Sequence, residues 1–183
     1  MGRGQKVLRA AVLGVPLAVA ACAGPPAPTG PAPCPRIAIL ADGADLTRYR
    51  PGAARDLTGM TLDARIAGFD ARCDFASSDR SALEVRITPR FQAERGPAAT
   101  GGTADLPWFV VVTDAEDTEI LTRVAATARI AFAPNVPRAQ VSGQPVLVTM
   151  PLSGGRRAAD YTVRVSLQLT PDELALNRQR GPR

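Results

Sequence analysis

Apolar and polar residues alternate with a period of two over much of the chain. Leu83, Val85, Ile87 and Phe91 fall on one side, and Glu84, Arg86, Thr88 and Arg90 on the other, the pattern of a half-buried β-strand. The same alternation runs from Met60 to Phe69, through Leu62, Ala64 and Ile66, with Asp63 and Arg65 between them. It returns in Ile120 to Phe132 with Arg123 and Arg129 interleaved, in Val146 to Met150, and in Tyr161 to Leu169 with Thr162, Arg164, Ser166 and Gln168 facing outward. Trp108 to Thr113 is instead a nearly continuous apolar run, as expected of a central strand covered on both faces. Arg36 to Ala41 is short and rich in β-formers and predicts a first strand. Pro89 interrupts the clearest alternation and marks an edge position or a bulge there.

Between these runs lie turn and loop signals. Asp42 to Gly59 contains Asp-Gly, Arg-Pro-Gly and Leu-Thr-Gly, and reads as a long loop that carries Arg48, Arg50 and Arg55. Glu94 to Pro107 is rich in Gly, Ala and Thr and predicts a mobile loop, while Asp114 to Asp117 predicts a hairpin turn. Asn135 to Gln144 reads as a turn region, and Ser153, Gly154 and Gly155 as a second hairpin turn. At the end of the chain Thr170 is placed as N-cap, Pro171 as the first helical residue, and Glu173 completes a capping box, with Leu169 and Leu174 spaced as a hydrophobic staple. The helix should run from Pro171 to Arg180, with Arg178 and Arg180 at its negative end and Gly181 as its stop. The reading is a mainly β chain, an antiparallel β-sandwich of about seven strands with a short C-terminal α-helix.

The first 35 residues follow other rules. Arg3, Lys6 and Arg9 precede twelve apolar residues, Ala10 to Ala21, with no acid before them. Charge followed by a short apolar run ending in small residues is the pattern of a signal peptide, here residues 1–21. The run is shorter than the roughly 20 residues a spanning helix needs. Ala23 to Pro35 then holds six prolines among Ala, Gly and Thr, a composition that buries no core and suits an extended spacer of about 3.1 Å per residue. Residues 36–183 remain for one β-sandwich domain, a span of 148 residues.

Val19, Ala20, Ala21 and Cys22, placed after that charged and apolar stretch, resemble the lipobox of bacterial lipoprotein precursors. The resemblance implies cleavage before Cys22, which becomes a lipidated N-terminus carrying two or three acyl chains such as palmitate. Ala23 and Gly24 then fit, by the lipoprotein sorting pattern, an outer-membrane address facing the periplasm of a Gram-negative cell. Ala18, Val19 and Ala20 also satisfy an A-x-A rule, which would release a soluble secreted protein. Cysteine number favours the anchor: with Cys22 acylated, Cys34 and Cys73 remain as one pair, expected as a disulfide in an oxidising compartment. A bridge between them would suit neighbouring antiparallel first and second strands. The mature domain resembles uncharacterised alphaproteobacterial lipoproteins, and Ala159 to Val163 locally resembles the tyrosine corner of immunoglobulin-like domains, in which the tyrosine hydroxyl bonds back to a nearby loop.

Charge and chemistry narrow the function further. Of 22 basic residues, three lie in residues 1–21, which leaves 19 against 17 acidic ones and a mature net charge of +2. Lys6 is the only lysine, and no basic run or aromatic-interleaved basic patch suggests nucleic acid. The absence of histidine removes Ser-His-Asp and Cys-His activation and histidine metal sites. No G-x-S-x-G elbow or phosphate-cradling loop occurs. Asp114, Glu116, Asp117 and Glu119 lie at a presumed turn with a spacing unlike an EF-hand and read as solvated. We therefore expect no enzyme, no cofactor and no metal.

Two features can bind a partner. Arg65, Arg86, Arg90, Arg123, Arg129 and Arg164 occupy outward strand positions, and those that share a sheet make either a merely soluble face or an arginine face for phosphates or carboxylates. Trp108, next to Phe109, is either core material or a platform for a sugar or peptide. Two functions follow as expectations: a structural or protein-interaction component of the cell envelope with an envelope protein partner, or a binding module for an anionic lipid, glycan or peptidoglycan fragment. Replacing Cys22 by Ala should abolish lipid-dependent processing and move the protein out of the membrane fraction; unchanged fractionation would remove the anchor reading.

Overall fold

The computed structural model describes residues 1–2 and 30–181. Residues 3–29, which hold the rest of the expected signal segment, Cys22 and the first part of the proline-rich spacer, lie outside the described residues. The chain divides into two units, Met1–Gly30 and Pro31–Arg183, and only the second is described in detail. Its described residues form nine strands and one α-helix: β1 Arg36–Ile39, β2 Asp45–Tyr49, β3 Met60–Phe75, β4 Ala82–Arg95, β5 Thr103–Asp114, β6 Ile120–Ala131, β7 Arg138–Ser142, β8 Val146–Pro151, β9 Tyr161–Leu167 and α1 Pro171–Arg180. The strands form two sheets, β1-β9-β5-β6 and β2-β3-β4-β7, with β8 also paired to β4. This is a mainly β sandwich with a short C-terminal helix. All pairings are antiparallel except that of β1 with β9.

Alternation sets which side chains meet between the sheets. From β4 come Leu83, Val85, Ile87, Phe91 and Ala93, from β5 Leu106, Trp108, Val110 and Val112, and from β9 Tyr161, Val163, Val165 and Leu167, all buried in one cluster. Trp108 is fully buried and meets the Phe91 ring edge-on at 6.0 Å between centroids, a favoured aromatic geometry. Its Nε1 has no hydrogen-bond partner among the described residues. The aromatic platform expected as an alternative is therefore corrected: a ring with no accessible surface cannot stack on a ligand.

β5 is covered on its outer side as well, as the apolar run predicts. Val111 and Thr113 are buried there. The Arg123 guanidinium lies 4.4 Å from the centroid of the Phe109 ring, and the turn after β5 folds back so that Thr113 Oγ1 donates to Asp117 at 2.7 Å. Asp117 also pairs with Arg164 of β9.

Several expectations change in tertiary context. Nine strands replace about seven because β2 forms inside the expected loop and β7 inside the expected turn region; each is only five residues long and gains its structure by pairing, β2 with β3 and β7 with β4. The Glu94–Pro107 loop shrinks, since β4 runs to Arg95 and β5 starts at Thr103. Pro89 does not sit on an edge strand. It lies in β4 in register with Phe69 of β3, and on its other side the partner changes from β8, which ends opposite Ile87, to β7, which begins opposite Arg90; its carbonyl accepts from Gly143 N–H on that side, where the missing N–H costs no ladder bond. Ser153–Gly155 is not a hairpin turn: β8 belongs to the second sheet and β9 to the first, so the segment crosses the sandwich through two short 3-10 turns. Where it arrives, the Tyr161 hydroxyl donates to the Pro151 carbonyl, the return contact that the tyrosine-corner resemblance implies.

Cys34 and Cys73 form a disulfide with a Cα separation of 5.4 Å. Its expected setting is corrected, because β1 and β3 are not neighbours: Cys34 precedes an edge strand of the first sheet and Cys73 lies in β3 of the second. The irregularity at Gly68 shifts the alternation of β3 by one, so that Cys73 falls on the partly buried side and packs against the core. The bridge therefore ties sheet to sheet at the end where the chain joins the domain. For a closed loop of about 40 residues, chain entropy gives about 3 to 4 kcal/mol. The Cys34→Ser/Cys73→Ser protein should lose about 3 kcal/mol in denaturant titration; a loss below about 1 kcal/mol would show that the bridge does not constrain the unfolded chain.

Candidate functional site

One pole of the sandwich gathers the start of β3, the end of β4, the start of β5 and the ends of β6 and β9, as the registers Leu62 with Arg95, Thr103 with Ala131 and Trp108 with Leu167 require. A cleft of about 800 Å³ opens there, within the size range of small-ligand sites. Leu62 and Phe132 lie at its base, both nearly buried. One wall comes from Tyr49 to Ala53, a second from Ala98 to Gly101 with Thr103 to Asp105, and a third from Asp172, Glu173 and Leu176 of α1.

Local sequence explains these walls. After β2 the chain turns at Pro51 and Gly52, whose φ of 75° falls in the left-handed region that glycine tolerates. Arg50 N–H donates to Gly59 O at 2.9 Å and closes the loop, and Asp56 Oδ1 accepts from the Thr58 and Gly59 N–H groups. On the other wall Gly96 N–H donates to Thr61 O at 3.0 Å. A Cβ at Gly96 would come within 2.1 Å of Met60 O, so only glycine lets this loop lie against β3.

The helix wall is capped as predicted. Thr170 Oγ1 accepts from Glu173 N–H, Glu173 Oε2 accepts from Thr170 N–H at 2.7 Å, and Pro171 stands in the first turn. α1 has no buried residue and is held to the edge of the second sheet by polar contacts. Asn177 Nδ2 donates to Asp42 O and Asp45 O at 2.9 and 2.7 Å, Arg178 pairs with Asp42, and Arg180 donates to Thr47 Oγ1 and the Tyr49 hydroxyl. Glu173 has a second role, since its Oε1 accepts from Arg48 Nε at 3.0 Å while Arg48 Nη1 donates to Asp105 O at 3.0 Å. One carboxylate thus caps the helix and fixes a guanidinium of the cleft.

Four arginines line the cleft: Arg48, Arg50, Arg55 and Arg95. Arg48 is committed to Glu173 and Asp105 O, and Arg55 pairs with Asp172 at 3.3 Å in an exposed contact. The guanidinium groups of Arg50 and Arg95 have no hydrogen bond or ion pair among the described residues. Asp105, the carboxylate on the β5 wall, is bonded by Arg129, and that hydrogen bond holds its carboxyl below the usual range. The cleft therefore offers two uncommitted cations beside polar walls.

The six arginines singled out by alternation do not form one face. Arg65, Arg86 and Arg90 lie on the second sheet, and Arg123, Arg129 and Arg164 on the first. Each has a partner nearby: Arg65 donates to Gln92, Arg86 pairs with Glu84, Arg90 with Asp70, Arg129 with Asp105 and Arg164 with Asp117, while Arg123 lies over Phe109. An arginine face is therefore corrected to two outer faces of mixed charge, because acids and glutamines share the same strands and cross-strand rows. The arginines that do converge flank turn signals. Arg48, Arg50 and Arg55 were legible as a cluster around Pro51-Gly52, and Arg95 only as a residue beside Gly96.

The acidic turn is used internally. Asp114 accepts from Thr118 and Glu119 N–H groups, and Asp117 is taken by Arg164 and Thr113. No group of three or more potential metal ligands occurs among the described residues. None of their helices is long and apolar enough to cross a membrane. Comparison with family models, with curated proteins and with solved structures finds no match.

Five aspartates, Asp56, Asp79, Asp105, Asp114 and Asp117, are held below the ordinary carboxylate range, in each case chiefly by a side-chain hydrogen bond. A depressed folded value stabilises the native state above the unfolded value, near 4, and that contribution is lost as pH falls through the lower folded value. No histidine is present to add a transition near neutrality. Melting temperature should stay level from about pH 6 to 8 and fall only below about pH 4; a step between pH 6 and 7 in calorimetric scans would contradict this.

Proposed function

We propose that the chain is a lipid-anchored envelope protein, held in the outer membrane through Cys22 and facing the periplasm, and that its sandwich is a binding module for an anionic ligand. The anchor rests on the order of charge, apolar run, small residues and cysteine in residues 1–22. The binding role rests on one observation: a cleft of ligand size bordered by the guanidinium groups of Arg50 and Arg95, neither engaged by another described residue. Guanidinium groups pair two N–H donors with two oxygens of a carboxylate or phosphate. Nearby, Arg48 and Arg55 are already partly neutralised by Glu173 and Asp172, so an anion is drawn to the two that are not.

A purely structural or protein-interaction role has less support. The large exposed apolar side chains are spread out: Leu40, Leu57 and Val136 lie toward the cleft pole, Ile120 and Leu121 at the start of β6, and Leu147 on β8. Such dispersal is ordinary for a protein surface.

The test is purification of the native protein from envelopes in mild detergent, followed by mass spectrometry of bound small molecules and proteins. An anionic small molecule should accompany the native chain and fall at least tenfold in Arg50→Gln/Arg95→Gln, at unchanged melting temperature, since loss of one charged hydrogen bond is worth about 1.5 to 3 kcal/mol. A stoichiometric protein partner unaffected by the two substitutions, with no small molecule, would replace this reading by that of an interaction component.

A further inference from the structure

Most edges of the two sheets are blunted. β1 is four residues long and follows the disulfide at Cys34. The edge of β2 is covered by α1, whose Asn177 Nδ2 donates to Asp45 O at 2.7 Å while Arg180 donates to Thr47 Oγ1 at 2.9 Å. β7 and β8 are five and six residues long and lie end to end along β4, with a break between Ser142 and Val146 and Pro151 at the end of β8. Short strands, covers and prolines are the usual means by which a sheet keeps its edge from pairing with another chain. β6 has none of them. It runs for twelve residues without proline and pairs only with β5 among the described residues.

The ladder of β6 shows which backbone groups are left over. Phe132 N–H donates to Gly102 O at 2.8 Å, one step beyond the Thr103–Ala131 pair. In an antiparallel ladder, residues that bond across alternate with residues that do not, so the even positions of β6 bond to β5. The N–H and C=O groups of Arg123, Ala125, Thr127 and Arg129 therefore point to the open edge, and their side chains are exposed on the outer face. On the inner face Val124 and Ala126 pack against the core but are only half-buried, with no further strand of their sheet beside them.

Charge on this side of the sandwich is of one sign. Residues 120–159 supply β6, β7, β8 and their connections, and hold Arg123, Arg129, Arg138, Arg156 and Arg157 with no Asp or Glu. Arg129 and Arg138 are answered by Asp105 of β5 and Glu94 of β4. Arg123 has no ion pair among the described residues; it lies over the Phe109 ring and donates to Gln168 at 3.3 Å. A second copy would bring one such strand against another, and like charges facing each other across strands are unfavourable. A strand with acids on its outer side and small apolar residues on its inner side would instead meet Arg123 and cover Val124 and Ala126.

Beyond the anion site of the cleft, we infer that the open edge of β6 is a docking surface for an extended acidic segment of a protein partner, which joins the first sheet as a further strand. The main-chain groups of Arg123, Ala125, Thr127 and Arg129 hold the segment, and Arg123 selects its charge. Backbone pairing of this kind needs no apolar patch on the surface.

The test places p-benzoylphenylalanine at Thr127 of the full chain in the cells that make it, with irradiation and mass spectrometry of the cross-linked peptide. The product should join this position to a segment of another protein with acidic residues at alternate positions. Cross-linking should fall about tenfold on adding Ala125→Pro, which removes one outward N–H and no bond to β5, and about tenfold on adding Arg123→Gln, at unchanged melting temperature. It should be unchanged on adding Arg50→Gln/Arg95→Gln, which alter only the cleft. The mapped segment, added as a synthetic peptide to the lipidated protein in detergent, should slow amide exchange at Arg123, Ala125, Thr127 and Arg129 about tenfold or more. A cross-link to a second copy of the chain, to a segment without alternate acids, or to nothing would overturn the docking surface, and so would full cross-linking in Ala125→Pro. If Ala125→Pro lowers the melting temperature, Arg123→Gln and the exchange pattern decide in its place.

Discussion

The insertion of β9 between β1 and β5 is the constraint on which the rest of the domain depends. β1 has no other ladder partner, so its parallel pairing exists only once the last strand is in place. β9 also supplies Tyr161, Val163, Val165 and Leu167 to the core opposite β3 and β4, and it fixes where α1 begins. Since α1 brings Asp172 and Glu173 to the cleft, the site too waits on this pairing. Contacts of such sequence separation close large loops before they are rewarded, which is the physical reason that sandwiches of this kind fold slowly relative to helical domains of similar size.

Around that frame the division of labour is simple. The two sheets are rigid because their inner faces interdigitate, and the loops at one pole are free to differ because no core residue depends on their length. Yet the loops that line the cleft are not loose. Asp56 and Gly52 shape one, Gly96 presses another against β3, and Glu173 ties the helix to Arg48. Arg50 and Arg95 are thereby carried on well-supported backbone while their side chains remain uncommitted, so under the proposed binding role the backbone needs little further ordering and the two side chains alone lose rotamer freedom.

Surface charges are largely paired on the sheets and less so in the cleft. Most arginines on the strands are answered by an acid or glutamine on the same or the adjacent strand, and exposed pairs of this kind add little to stability. In the cleft four arginines, Arg48, Arg50, Arg55 and Arg95, stand with three acids, Asp105, Asp172 and Glu173.

Much of this was determined by the sequence alone. Period-two alternation marks β3, β4, β6, β8 and β9, the apolar run marks β5 as central, and Thr170, Pro171, Glu173 and Gly181 mark both ends of α1, because these signals depend only on neighbours a few residues away. The pairing of Cys34 with Cys73 also followed from cysteine number, once Cys22 is set aside as the expected acylation site. Features that depend on partners distant in the chain were set by packing instead. β2 and β7 are five-residue strands that exist because β3 and β4 offer them an edge. Whether the chain turns back or crosses the sandwich at Ser153–Gly155 is fixed by the vacancy between β1 and β5, and a pair of glycines permits either path. Trp108 is core because Phe91 lies across from it. The arginines divide between two faces because alternation reveals which side of a strand a residue takes and never which sheet the strand joins; those of the cleft converge because β2 with the loop after it and the end of β4 meet at the same pole.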